Sequence, residues 1–141
     1  MHKVAAARPS EADYRSLSEF RYVLRRFLEF SEAAAEASGL TSRQHQALLA
    51  IRGHGGLAMT VGELAERLRI RPNSAGELAD RLTAAGLVVR QTDAQDHRRV
   101  HICLTPVAES RLEQLSVAHL DELDRLEPAL RRLFELRRGG R

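Results

Sequence analysis

This sequence predicts a mainly α-helical protein with one small β ribbon, on three observations. Apolar residues recur three and four apart in one segment after another, the period of a helix with one buried face. Only one stretch alternates apolar with polar residues, and it follows a short β-rich run across a polar gap, the pattern of a hairpin. The 141 residues are 43% hydrophobic and 29% charged, which suits a single globular domain over 1–141.

The elements follow from their punctuation. A first helix is expected over Asp13–Ser38, where Leu17, Phe20, Leu24, Phe27 and Leu28 keep helical spacing and Gly39 supplies the stop. Thr41 caps a second helix carrying Ala47, Leu48 and Ile51, and Gly53–Gly56 breaks it. Thr60 opens a third, with Glu63 three residues on as in a capping box and with Val61, Leu64, Ala65 and Leu68 on its apolar side. Arg71–Ala85 is a fourth, with Pro72 at its start, Gly86 just past its end and an inward stripe of Ala75, Leu78, Ala79 and Leu82. Leu87-Val88-Val89 then begins a hairpin with a long charged tip from Gln91 to Arg99. Its return strand alternates Val100, Ile102 and Leu104 with His101 and Cys103. From Thr105 the helical period resumes through Leu112, Leu115, Leu120, Leu123 and Leu126. Pro128 is expected to break that helix or to open a short last one bearing Leu130, Leu133 and Phe134.

Several functional classes fall away. The longest nearly apolar run, Ala84–Val89, is far short of the ~20 residues of a membrane span. Val4–Ala7, between Lys3 and Arg8, is no secretory h-region, so a cytoplasmic location without a membrane partner is expected. The single cysteine, Cys103, excludes an intramolecular disulfide framework and a multi-thiolate zinc knuckle. No nucleophile elbow, phosphate-binding glycine loop or H-E-x-x-H motif occurs, so no enzyme is expected. His97 and His101, four apart on a ribbon, would stand roughly 13 Å from each other, too far to share a metal. His119 reads as a packing or surface residue, and no metal or cofactor is expected. The net charge of +3 permits a polyanionic partner without demanding one. Lys3 is the sole lysine, so the cationic surface is arginine, which suits bidentate contact with phosphate and guanine.

The middle of the chain supports a specific proposal. In TVGELAERLRIRPNSAGELADRL two helices separated by a short turn place Leu64, Ala65, Leu68, Ile70, Ala75 and Leu78 at a steep crossing, where Ala65 and Ala75 let the backbones approach. That is helix-turn-helix geometry, whose second helix enters a major groove of double-stranded DNA. A ribbon directly after such a helix is a wing, and an arginine-bearing tip suits a narrow, negative minor groove. Asp96 and Arg98 are close enough in sequence to pair and to hold the guanidinium in one orientation.

The stretch GLVVRQTDAQDHRRVHICLT resembles the wing signature of the MarR family of transcriptional regulators. Its D-x-R, five residues, L-T pattern falls on Asp96, Arg98, Leu104 and Thr105. The preceding ADRLTAAGLVVR resembles that family's recognition-helix end, and the helix order extends the likeness over roughly Asp13–Arg138. His97 stands where members often carry another arginine, and Ala108 where a glycine is common. The resemblance implies a winged helix-turn-helix lobe over 41–105 with dimerisation helices over 13–38 and 106–138. It further implies a homodimeric repressor on a pseudo-palindromic operator. A small aromatic or anionic effector is a family theme, and Arg26, Phe27, Phe30 and His45 are the candidates to line its cleft, with a plain core role for them the favoured reading.

Helical periodicity exposes Arg71, Asn73, Ser74, Glu77 and Arg81 on the second helix of the motif. Arg71 suits guanine, Asn73 adenine or phosphate, and Glu77 a cytosine amine or a neighbouring arginine. Ser74 reads as a helix cap or phosphate ligand as readily as a base contact. Thr60 begins a helix and so offers its N–H to phosphate. Arg98 and Arg99 serve the wing, with Asp96 orienting Arg98, while Glu66 and Asp80 suit internal pairs. Seven arginines face six acids between Thr60 and His101, so clustering rather than net charge must create affinity. The alternative reading is a winged-helix interaction module, or a DNA-bound component, with no regulatory activity of its own.

Overall fold

A computed structural model describes residues 7–55 and 58–139. The elements run α1 (Glu11–Ala37), α2 (Ser42–Gly53), β1 (Ala58–Thr60), α3 (Val61–Leu68), α4 (Pro72–Ala84), β2 (Val88–Thr92), β3 (Val100–Leu104) and α5 (Pro106–Gly139). They form two compact units, Glu32–Ala118 and the pair of terminal segments Met1–Ser31 with His119–Arg141, so the division falls inside both long helices.

The central unit holds α2 to β3 together with the last turns of α1 and the first part of α5. Ala35 and Leu40 from one side and Ala108, Leu112 and Leu115 from the other join its core around Leu48, Ile51, Met59, Leu64, Leu82, Leu87, Val88 and Ile102. Ala108, the departure from the family glycine, is fully buried there, so its methyl group is packed. Thr41 and Gln44 form a reciprocal capping box on α2, as do Thr60 and Glu63 on α3. Gly86, at φ +73°, turns the chain out of α4, which is why a residue without Cβ stands there. Thr105 then ties that turn to the start of α5: its hydroxyl donates to the Gly86 carbonyl at 2.7 Å and its N–H to the Leu87 carbonyl at 3.0 Å.

The sheet is antiparallel in the order β1-β3-β2. Ile102 lies opposite Met59 on one side and Arg90 on the other, and the β2–β3 pairing closes at Thr92 and Val100. The hairpin is therefore present, but β1 adds a third strand that the sequence reading lacked. Three residues with one buried side chain, Met59, carry too little alternation to be seen. Of the predicted Gly53–Gly56 break, Gly56 lies outside the described residues.

In the terminal unit Val23 of α1 and Leu126 and Leu133 of α5 are buried. The buried Ser16 hydroxyl lies 2.9 Å from the Ala12 carbonyl and 3.2 Å from that of Leu133. Phe27 and Phe30 set their rings edge-on to His119, whose Nε2 lies 2.8 Å from the Ser31 hydroxyl. The expected break at Pro128 is absent: α5 runs through it. Proline removes one helical N–H, yet Leu126 and Leu133 are buried on either side, and that packing holds the helix together. Four of the five apolar residues of the α1 stripe are exposed. Leu17 (59% exposed), Phe20, Leu24 and Leu28 face away from the chain's own core, and so do Leu120 (61%), Leu123 and Phe134 of α5.

Candidate nucleic-acid interface

The helix-turn-helix is built by a tight reversal after α3. Arg69 adopts the left-handed conformation at φ 56°, and the Ile70 N–H returns to the Ala65 carbonyl at 3.0 Å. Arg71 then stands in extended conformation as the N-cap of α4, with Pro72 opening the helix and no side chain capping it. Ser74, offered above as a cap, lies inside the first turn instead. The small residues at the crossing, Ala65 and Ala75, are buried with Leu64 and Leu78, so the opposite face of α4 presents Arg71, Asn73, Ser74, Glu77 and Arg81 to solvent.

Acidic groups around this face are engaged internally. Asp80 binds Arg90 of β2 at 2.6 Å, and Glu66 binds Arg69 at 2.8 Å, the internal roles the sequence suggested. Asp96 pairs with Arg98: its Oδ1 accepts the Arg98 N–H at 3.0 Å and Nε at 3.3 Å. Glu63 accepts the Thr60 N–H at 2.9 Å through Oε1 and meets His54 Nε2 at 2.9 Å through Oε2. The hydrogen bonds from Thr60, and after them the charges of His54 and Arg99, hold its carboxyl below the usual carboxylate range. Asp93 accepts the Gln95 N–H at 2.8 Å and lies 3.0 Å from His101 Nε2, and these contacts lower its pKa as well.

Among the described residues of 60–101, Glu77 is the acid without an ion pair, and Arg67, Arg71, Arg81 and Arg99 are the arginines without one. The uncommitted cations of this nearly neutral segment thus stand at Arg67 on α3, at Arg71 and Arg81 at the two ends of α4, and at Arg99 on the wing tip. At the wing tip Arg98 is 92% exposed at its side chain while Asp96 is only 38% exposed, an anchor and a reaching arm.

Two sequence expectations change in detail. The Thr60 N–H, offered above to phosphate, is already given to Glu63, and the Thr60 hydroxyl oxygen accepts the Glu63 N–H at 3.1 Å, which leaves the hydroxyl hydrogen and the N–H groups of Val61 and Gly62. The four proposed effector residues do not form one group within either unit. Phe27 and Phe30 surround His119, Arg26 is exposed with its guanidinium 5.8 Å from the centre of the Tyr22 ring, and His45 is buried in the central unit. The sequence reading missed the Asp93–His101 and His54–Glu63 pairs. The first was within reach: pairing Thr92 with Val100 leaves Asp93 and His101 flanking the same ribbon end.

The family model of the MarR family matches residues 38–99, from the end of α1 to the wing tip. The chain is 31% identical over 80 residues to the HTH-type transcriptional repressor MdtR of Bacillus subtilis (strain 168), covering 57% of this chain and 50% of that protein. The matched stretch thus spans about half the length of that relative. Against the uncharacterized HTH-type transcriptional regulator YcgE of the same organism, identity is 32% over 106 residues, covering 75% of this chain and 68% of that protein. A mutant of Staphylococcus aureus MepR, bound to an oligodeoxyribonucleotide, shares the fold with a TM-score of 0.66 at 24% identity over 82% of each chain. With its winged helix-turn-helix lobe and these relatives, the chain belongs to the MarR family.

Proposed function

We propose that the chain is a sequence-specific DNA-binding transcriptional regulator, a homodimeric repressor acting in the cytoplasm on a pseudo-palindromic operator and catalysing no reaction. The observation that carries this reading is the charge arrangement of α4 and the wing. Five of six acids between Thr60 and His101 are tied to cationic or imidazole partners, while Arg71, Arg81 and Arg99 carry no ion pair among the described residues.

In this reading α4 lies in the major groove. Arg71 forks onto guanine, Asn73 pairs with adenine or phosphate, Glu77 accepts from a cytosine amine and Arg81 reaches the flanking backbone. Ser74 and the Thr60 hydroxyl bind phosphate at helix starts. Arg98, held by Asp96, enters the minor groove, and Arg99 neutralises a phosphate. The exposed stripes of α1 and α5 meet their counterparts in a second copy, and doubling the site compensates for a lobe of little net charge. Operator release by a small aromatic or anionic effector is proposed with Arg26, Phe27 and Phe30, on the support of the aromatic group that Phe27 and Phe30 build around His119, while His45 is read as a core residue of the central unit.

The test is titration of the chain's own promoter fragment at two salt concentrations. Saturable, sequence-selective binding that weakens with salt supports the regulator. Binding no tighter than to random duplex favours the interaction module instead. A ligand screen by thermal shift, read again as operator release, tests the effector.

A further inference from the structure

We propose that Asp93 and His101 are positioning residues for DNA binding: they clasp the base of the wing tip and so set the turn from which Arg98 and Arg99 reach the duplex. The inference rests on the DNA-binding reading above and adds to it two residues that contact no DNA themselves.

The last cross-strand pair of the ribbon is Thr92 with Val100, and the residues between them carry no buried apolar side chain to anchor them. Polar bonds centred on one carboxylate hold this tip instead. Asp93 Oδ1 accepts the N–H groups of Gln95 at 2.8 Å and Asp96 at 3.3 Å, and its Oδ2 lies 3.0 Å from His101 Nε2 on the returning strand. The Asp93 N–H donates to the Arg99 carbonyl at 2.9 Å, and the Arg99 N–H to the Asp96 carbonyl at 3.0 Å. Asp96 in turn holds Arg98 through its N–H and Nε. A continuous path of hydrogen bonds therefore leads from the middle strand of the sheet, through Asp93 and the Asp96 backbone, to the guanidinium of Arg98. Side-chain exposure grades along it, from 27% at His101 and 26% at Asp93 to 92% at Arg98. The clasp is sheltered and the arm is free. A tip ordered before DNA arrives loses less conformational freedom on binding, which is how a residue away from the duplex raises affinity.

The experiment uses the full chain with His101→Leu, His101→Gln, Asp93→Ala and the His101→Leu/Asp93→Ala double variant. It reads affinity for the promoter fragment and hydrogen exchange at the amides of Gln95, Asp96 and Arg98. His101→Leu is expected to weaken binding about five- to tenfold, the size of ordering one or two side chains, and to speed exchange at those amides while leaving α4 amides unchanged. His101→Gln, which keeps a side-chain N–H donor, is expected to recover most of both. The double variant is expected to bind no more weakly than Asp93→Ala alone, since the two residues act as one unit. Parental affinity and parental exchange in His101→Leu would overturn the clasp. Equal losses for Leu and Gln with unchanged tip exchange would also overturn it, by making the imidazole a direct DNA contact. If His101→Leu disturbs the sheet, Asp93→Ala, which lies outside the core, decides by the same two readouts. Absence of selective binding by the parent would defeat the DNA-binding reading, and the exchange measurement alone would then judge the clasp.

Discussion

At the scale of single residues the sharpest expectation concerns Asp96 and Arg98. Arg98→Ala should weaken binding to most sequences and reduce the slope of log affinity against log salt by about one unit. It should leave the fold intact, because an exposed residue of this kind costs within about 0.5 kcal/mol. Asp96→Ala removes a negative charge beside a polyanion, so simple electrostatics predicts tighter binding. The observed hold of Asp96 on Arg98 predicts looser binding. Operator titrations of both variants at two salt concentrations decide, and tightening by Asp96→Ala would reduce the wing to a positive surface. This pair was legible in the sequence because its members are two residues apart. His54 and Glu63 were not, since α2 and α3 had to be packed before the imidazole met the carboxylate.

At the scale of elements, caps and stops were the most legible features. Thr60 with Glu63 forms the box that its spacing announces, and Thr41 caps α2 as expected, in a box with Gln44 that the sequence reading did not name. Thr60→Ala should destabilise the lobe by about 1 kcal/mol in urea unfolding. Glu63 adds a pH dependence whose sign follows from its lowered pKa. A carboxylate depressed in the folded state stabilises it above the ordinary value and loses that contribution as pH falls through the folded value. The stability gap between the parent and Glu63→Gln should therefore be present at pH 7 and close as the solution is acidified below about 4. A gap that widens in acid would contradict the cap. Pro128 was misread for a local reason: proline opposes a helix through its own ring and missing N–H, whereas the packing of Leu126 and Leu133 acts over the whole of α5. Pro128→Ala should accordingly raise the thermal midpoint, by the equivalent of about 1–3 kcal/mol, without shifting the helix content by a turn.

At the scale of the whole molecule, helical periodicity showed that α1 and α5 are amphipathic but not which apolar face meets which partner. Val23 and Leu126 turn inward while Leu17, Leu28, Leu120 and Leu123 remain exposed, a division that only packing could make. A dimer is the expected use of that surface. Light scattering at micromolar concentration should give twice the chain mass, and Leu17→Glu with Leu120→Glu should give a helical monomer that no longer retains the operator. A parental monomer with intact helicity would refute the assembly. With two lobes related by a twofold axis, footprinting should show half-sites about 10–10.5 bp apart on one face of the duplex. Protection of a single unsymmetrical half-site would contradict this.

The internal pairing of acids around α4 also bears on how fast such a protein finds its site. Between Glu32 and Ala118 ten arginines meet ten carboxylates, so the lobe approaches DNA without a net monopole, and the excess positive charge belongs to the terminal segments. The lobe's own charge then adds little long-range attraction, and the cations of α4 act only within about a Debye length of the phosphates. Discrimination between operator and bulk chromosome is consequently expected in residence time rather than arrival rate. Brief stays on non-operator DNA would keep the regulator searching instead of stranded along the genome.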